Sequence, residues 1–173
     1  VLVIGGGVAE PIIPYLAKYV NRVTVVDRYL YCYEDQHGVM EKIMMTMPEL
    51  VFPKDCNSSR IVVQHMDERI LRFADETFDA VIAFGIPDRL EDDFAFSCVV
   101  SEINRVLRKG GILSLCSKYC IHGPPGLDRC DGMWLIGSKR LANMVTDFSG
   151  LEFDDDFVLS PSRETIVARR SLE

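Results

Sequence analysis

The first eleven residues, VLVIGGGVAEP, restrict the fold of this chain more than any other stretch. Residues 1–4 form a continuous apolar run, which is typical of a strand buried on both faces. Three glycines follow, and Pro11 fits the first turn of a helix, where its missing N–H costs nothing. A glycine loop between a strand and a helix usually holds a nucleotide-like ligand. The opening therefore predicts an α/β fold with such a ligand at its first loop.

Buried strands and amphipathic helices alternate along the rest of the chain. Apolar runs predict four more strands, at residues 23–26, 61–63, 80–84 and 112–116. Helical spacing of apolar residues predicts helices after Pro11, around 39–47, over 96–107 and over 141–148. Five strands that alternate with helices require a doubly wound, mostly parallel sheet with right-handed crossovers.

The second half of the chain adds three expectations. The helix over residues 96–107 is expected to end at Lys109-Gly110-Gly111, with a cation in its last turn and glycine beyond it. Residues 117–137 are rich in Gly, Pro and Cys and are interpreted as a loop or lid. Strands around 153–159 and 165–168, separated by turn-like residues, are expected to form an antiparallel C-terminal hairpin. The hairpin brings the expected sheet to seven strands.

Length and composition fit one globular domain over residues 1–173, with 48% of the residues apolar. The chain starts without methionine inside a predicted strand, so we expect an N-terminal segment to precede it. The net charge of −7 disfavours nucleic acid as a partner. No apolar run approaches the roughly 20 residues of a membrane span. The six cysteines match no zinc spacing, and we expect them reduced, in a cytoplasmic protein.

The glycine loop departs from the dinucleotide pattern. A G-x-G-x-x-G loop would place its third glycine at Glu10, whose carboxylate would lie near the pyrophosphate. A P-loop is excluded because no G-K-[ST] follows. A carboxylate at this place suits a ligand without phosphates, and a nicotinamide-dependent enzyme is correspondingly disfavoured.

Four stretches resemble, in order and spacing, the motifs of the class I S-adenosylmethionine-dependent methyltransferases, particularly their broad small-molecule group. They are VLVIGGGVA, VTVVD, VVQHMDERILRFADETFDAVIAF and SEINRVLRKGGILSL. The resemblance implies a Rossmann-like methyltransferase fold and S-adenosylmethionine as cofactor. It also implies a set of cofactor-binding residues at the strand ends: Gly5, Gly6 and Gly7 in the loop, Asp27 at the ribose with Arg28 after it, Met66 and Asp67 at the adenine, and Phe84 at the end of the fourth strand.

The expected reaction is methyl transfer by in-line displacement at the sulfonium, to a small-molecule acceptor, with a protein acceptor left open. Orientation and desolvation would supply most of the catalysis. The catalytic residue stays unassigned. Asp88, Tyr119 and His122 are candidates for a general base, and each has a purely structural interpretation. The acceptor motif [DN]-P-P-[YF] of nucleic-acid amine methylation is absent after residue 84. We expect no nucleic-acid or membrane partner, and a homodimer is left open.

A second hypothesis stays open beside methyl transfer. Val3 stands where the family usually has an acidic residue, and Ala9 replaces its third glycine. These departures also fit a catalytically degenerate methyltransferase-like domain that acts as a cofactor-binding or protein-interaction module.

Overall fold

The computed structural model describes residues 1–5, 10–28, 52–86, 90 and 92–117, together with the backbone of 128–130, 133–135, 151–153, 158–159 and 164–170. The chain divides into two compact units, Val1–Glu68 and Arg69–Glu173. The predicted helices around 39–47 and over 141–148 lie outside the described residues. The expectation of one domain over 1–173 stays a prediction.

The first unit contains three parallel strands, β1 (Leu2–Ile4), β2 (Val23–Asp27) and β3 (Ile61–His65), with β2 between the other two. Every residue of β1 and β2 is buried, the polar Thr24 and Asp27 included, as the predominantly apolar sequences predict. These bounds confirm the three strands within one or two residues. The parallel pairing brings the carboxyl ends of all three strands to one edge.

Helix α1 (Ile12–Tyr19) connects β1 to β2. It buries Ile13 and Ala17, which lie one turn apart on the same face. At its C-terminal end, Arg60 Nη1 donates to the carbonyl oxygens of Ala17 and Val20, at 3.4 and 3.1 Å. A cation there satisfies carbonyls that have no partner within the helix.

The second unit contains the parallel strands β4 (Phe78–Phe84) and β5 (Leu107–Ser117), joined by helix α2 (Asp93–Val106). The Asp92 carboxylate accepts from the Ala95 N–H at 2.7 Å and caps the helix. The predicted apolar face of the helix is confirmed, since its members are buried: Phe96, Val99, Val100, Ile103 and Val106.

Helix α2 ends earlier than the sequence predicts, at Val106 and not at Lys109. Leu107 already pairs with Phe78 of β4, and the next pair in the register joins Ile112 to Ala80. Between these two pairs β5 advances five residues while β4 advances two. The strand therefore bulges between the two pairs, and Gly110 takes a φ of 70° there. The apolar pattern alone could not separate the last helical residue from Leu107, because both side chains are fully buried.

Arg105 of α2 holds the chain between β3 and β4. Its five N–H groups donate to the Glu102 carboxylate, to Asp75 Oδ1 and to the carbonyl oxygens of Leu71 and Phe73, at 2.8 to 2.9 Å. Glu102 also accepts from the Leu71 N–H at 2.7 Å. We call Glu102 and Arg105 the clamp. The sequence pattern assigns both to the outer face of the helix and does not predict these contacts.

Short strands complete the second unit. They are β6 (Asp128–Cys130), β7 (Met133–Leu135), β8 (Leu151–Phe153), β9 (Val158–Leu159) and β10 (Glu164–Arg170). Strand β10 pairs antiparallel with β5, β8 and β9. The seven-stranded sheet with its C-terminal hairpin stays a prediction, since residues 160–163 lie outside the described residues. Across the part of the chain that is described, no helix is both long and apolar enough to span a membrane.

The interpretation of residues 117–137 as a loop or lid is wrong for two of its segments. Strands β6 and β7 lie within it and pair antiparallel, with Asp128 opposite Leu135 and Cys130 opposite Met133. The sequence between them is Asp131-Gly132, a dipeptide typical of two-residue hairpin turns. The Gly, Pro and Cys content of the whole stretch favours a loop, and this outweighed the hairpin indicated by the dipeptide.

Candidate functional site

The three strands of the first unit end level with one another. Ile4 lies opposite Val26 and Asp27 lies opposite His65 in the registers of β1, β2 and β3. Beyond the strands, the Gly5 N–H donates to the Val26 carbonyl at 3.0 Å. The Met66 N–H donates to the Asp27 carbonyl at 3.1 Å. The structure thus brings together four residues that the sequence assigns to the cofactor: Gly5, Asp27, Met66 and Asp67.

Gly5 has a backbone conformation that favours glycine. Its φ is 71°, in the left-handed region where a Cβ atom crowds the following carbonyl. The chain leaves β1 through this residue while its N–H still bonds to β2. Gly6 and Gly7, the other predicted loop residues, lie outside the described residues.

Asp27 is the last residue of β2 and is 6% exposed. A buried carboxylate offers only acceptor positions, about four for its two oxygens. A pair of neighbouring hydroxyls, as on a ribose, can donate to both oxygens. The position and chemistry of Asp27 therefore fit the predicted ribose contact.

Met66 and Asp67 follow β3 directly. Met66 is buried, whereas Asp67 is half-buried. An apolar side chain beside a carboxylate suits the flat face and the amino edge of an adenine. Their adjacency to Asp27 through the Met66 N–H is the geometry expected if ribose and adenine lie next to each other.

Glu68 is a buried carboxylate at this edge that the sequence patterns do not predict. Glu68 Oε1 lies 2.9 Å from Arg28 Nη2, and the two side chains are 5% and 17% exposed. Arg28, which the sequence assigns to the cofactor, thus directs its guanidinium to Glu68. The available signal was the position of opposite charges directly after the two predicted site carboxylates, Asp27 and Asp67.

Phe84, the remaining predicted cofactor residue, ends β4 in the second unit. It lies opposite Cys116 in β5, and the next N–H, that of Gly85, donates to the Cys116 carbonyl at 2.8 Å. The general-base candidates Asp88, Tyr119 and His122 lie outside the described residues.

The charges at the strand ends fit a ligand without phosphates. Asp27, Asp67 and Glu68 contribute three carboxylates at this edge, and Arg28 contributes one guanidinium that already faces Glu68. A phosphate placed beside Asp27 and Asp67 would be repelled, whereas ribose hydroxyls and an adenine amino group can donate to them. The residues present thus fit S-adenosylmethionine.

Comparison with known proteins gives a family and a fold. Residues 2–115 match the family model described as a methyltransferase domain. No curated protein sequence matches the chain.

Solved structures resemble the chain over nearly its whole length. A structure described as a SAM-dependent methyltransferase from Methanosarcina mazei is 18% identical, with a TM-score of 0.71 and coverage of 99% of this chain and 92% of that one. An S-adenosylmethionine-dependent methyltransferase from Mesorhizobium loti is 13% identical, with a TM-score of 0.67 and coverage of 98% and 89%. The [4+2]-cyclase SpnF is 17% identical, with a TM-score of 0.74 and coverage of 99% and 74%. At these identities the likeness establishes a Rossmann-like α/β fold with a parallel sheet.

Proposed function

The chain belongs to the class I S-adenosylmethionine-dependent methyltransferase family, and from this we propose that it transfers the methyl group of S-adenosylmethionine to a small-molecule acceptor. One observation supports the proposal above the others. The buried Asp27 carboxylate ends β2 beside Gly5, which has a φ of 71° at the same edge. When bound, the cofactor supplies an electrophilic methyl group on its sulfonium.

We assign the cofactor's parts to the predicted residues. Asp27 would accept from the ribose hydroxyls, and Met66 with Asp67 would hold the adenine. The backbone of Gly5, Gly6 and Gly7 would lie closest to the ligand, because glycine has no side chain to block the approach. Arg28 and Phe84 complete the proposed set.

The acceptor is proposed to be a small molecule. The net charge of −7 supports this class over nucleic acid, whose phosphates such a surface repels. For such an acceptor the protein would contribute orientation, which converts an encounter between two molecules into a step within one complex. We further propose that the protein is cytoplasmic, has no membrane partner, and forms a single domain with the family's seven strands. Whether it forms a homodimer is left open.

The comparisons do not support the alternative of a catalytically degenerate binding module. The fold alone still does not fix the reaction, because a [4+2]-cyclase shares it. Cofactor binding and methyl transfer therefore need separate measurements.

Calorimetric titration with S-adenosylhomocysteine tests the cofactor. We expect micromolar binding, no binding of NAD, and loss of detectable binding in Asp27→Ala. Asp55→Ala is the matched control, since it removes an exposed carboxylate from the same unit and should leave the affinity unchanged. Unchanged affinity in Asp27→Ala would overturn the ribose assignment, and no binding by the wild type would overturn the proposed cofactor.

A screen of small-molecule acceptors tests the reaction. We expect S-adenosylhomocysteine to form with at least one acceptor class, at a rate that Asp27→Ala lowers strongly. Cofactor binding without turnover on any acceptor would favour the binding module over the enzyme.

A further inference from the structure

Arg28, which is assigned above to the cofactor, forms an ion pair with Glu68, a residue to which the proposed function gives no role. The pair lies within the first unit, with Nη2 and Oε1 2.9 Å apart and both side chains largely buried. Each partner directly follows a residue assigned to the cofactor. Arg28 follows Asp27, and Glu68 follows Asp67.

The pair lies where the backbone ladder between β2 and β3 ends. The last register pair is Asp27 with His65, and one more bond follows, from the Met66 N–H to the Asp27 carbonyl. Among the described residues, the pairing of β2 with β3 ends at Asp27 and His65. The contact between the Arg28 and Glu68 side chains joins the two segments just beyond that end.

A buried ion pair holds its partners at a narrow range of separations. Once two charges leave water, each needs the other, because an unpaired buried charge is far costlier than a buried pair. The guanidinium is planar and directs its N–H groups to a carboxylate in a fixed geometry. Such a contact restricts the backbone at both of its ends.

We propose that Arg28 and Glu68 are positioning residues that set the spacing between Asp27 and Asp67, the ribose and adenine ends of the site. On this assignment Arg28 acts on the cofactor through Asp27 and does not touch it. The inference rests on the proposed function, since it concerns the affinity of the same site.

The test removes both charges together. The variant Arg28→Met with Glu68→Leu leaves no unpaired buried charge, so we expect it to fold. Calorimetry at a temperature well below every unfolding midpoint compares S-adenosylhomocysteine with 5′-methylthioadenosine, which lacks the amino-acid end. We expect both ligands to lose affinity by a similar factor, about tenfold. Arg28→Lys, which keeps the charge, should lose less.

An ion pair elsewhere in the same unit supplies the control. Lys18 Nζ lies 2.6 Å from Asp55 Oδ2, and the two side chains are 41% and 70% exposed. Lys18→Met with Asp55→Asn removes equal charges at a distance from the strand ends, and both ligands should keep their wild-type affinity.

Two results overturn the inference and leave the proposed function standing. The first is a double variant that binds both ligands like the wild type; a lower unfolding midpoint beside that result would make the pair purely structural. The second is a loss confined to S-adenosylhomocysteine, which would place Arg28 on the amino-acid end of the cofactor. A wild type that binds neither ligand would overturn the proposed function and this inference with it.

Discussion

Gly111 lies where a single methyl group would collide with the backbone. A Cβ atom there would come within 2.8 Å of the Arg108 carbonyl oxygen and 2.7 Å of Leu107 Cδ1. We predict that Gly111→Ala lowers the free energy of unfolding by about 1–3 kcal/mol, as overpacking does elsewhere. Urea denaturation measures the change. Lys109→Ala, an exposed neighbour in the same bulge, should stay within about 0.5 kcal/mol of the wild type.

The site residues differ in how far the sequence predicts them. Asp27 and Asp67 follow apolar runs, so topology alone places them at one edge of a parallel sheet. Glu68 directly follows Asp67, but the sequence does not predict it as a site residue, because a charged residue in a turn is ordinarily solvated. Its burial depends on the contact with Arg28, which lies 40 residues away in the sequence and is not visible in any local pattern.

At the scale of elements, the clamp connects α2 to the chain that enters β4. We predict that Arg105→Met lowers the free energy of unfolding by about 2–3 kcal/mol, because it leaves the Leu71 and Phe73 carbonyls and the Glu102 carboxylate without this donor. Denaturant titration measures the loss. Arg105→Lys should restore little of it, since an ammonium cannot reproduce the planar fork.

Arg108 provides the matched comparison for the clamp. It also pairs with an aspartate, Asp79, but both side chains are more than half exposed. Arg108→Met should therefore cost less than about 1 kcal/mol. Equal losses in the two methionine variants would mean that the clamp contributes no more than a surface ion pair.

The clamp also makes stability depend on pH. The hydrogen bond from Arg105 lowers the pKa of Glu102 below its ordinary value of 4.5. A lowered folded-state pKa stabilises the protein above the ordinary value, and this stabilisation is lost as the pH falls through the folded-state pKa.

We therefore predict that the stability difference between the wild type and Glu102→Gln is largest near neutral pH and shrinks below pH 4.5. Free energies of unfolding measured from neutral pH into acid check this. Asp79→Asn, at the surface pair, should show a small difference throughout. A difference that grows on acidification would contradict the sign.

The sequence predicts elements best where one pattern decides them. The predominantly apolar runs of β1 to β3 predict the ends of these strands to within two residues of where the structure has them. The end of α2 was misplaced, because Leu107 continues the apolar pattern into a strand. The pairing of β6 with β7 was missed, because a two-residue turn is a weaker signal than the glycine and proline content around it.

At the scale of the whole molecule, ligand binding should couple to unfolding. A ligand that binds only the folded state at one hundred times its dissociation constant stabilises it by about 2.7 kcal/mol. We predict a stabilisation of this size from S-adenosylhomocysteine and none from NAD, read from urea denaturation with and without ligand. Asp27→Ala should lose the effect and keep its fold.

The fold follows from the order of motifs, whereas the acceptor does not. Alternating strands and helices leave one solution for the sheet, which the comparisons with solved structures support over nearly the whole chain. An acceptor pocket depends on side chains from separate segments that meet only in the folded protein. No spacing along the chain records which of them face one another.

The clamp has a consequence for how the gene could change. Arg105 bonds to the backbone carbonyls of Leu71 and Phe73, and such atoms are present whichever amino acid is encoded. A substitution of Ala74, an exposed residue between Phe73 and strand β4, leaves those carbonyl acceptors in place. A codon inserted or deleted there would move them out of reach. At residues 72 and 74, selection should therefore preserve the number of residues more strictly than their amino-acid identity.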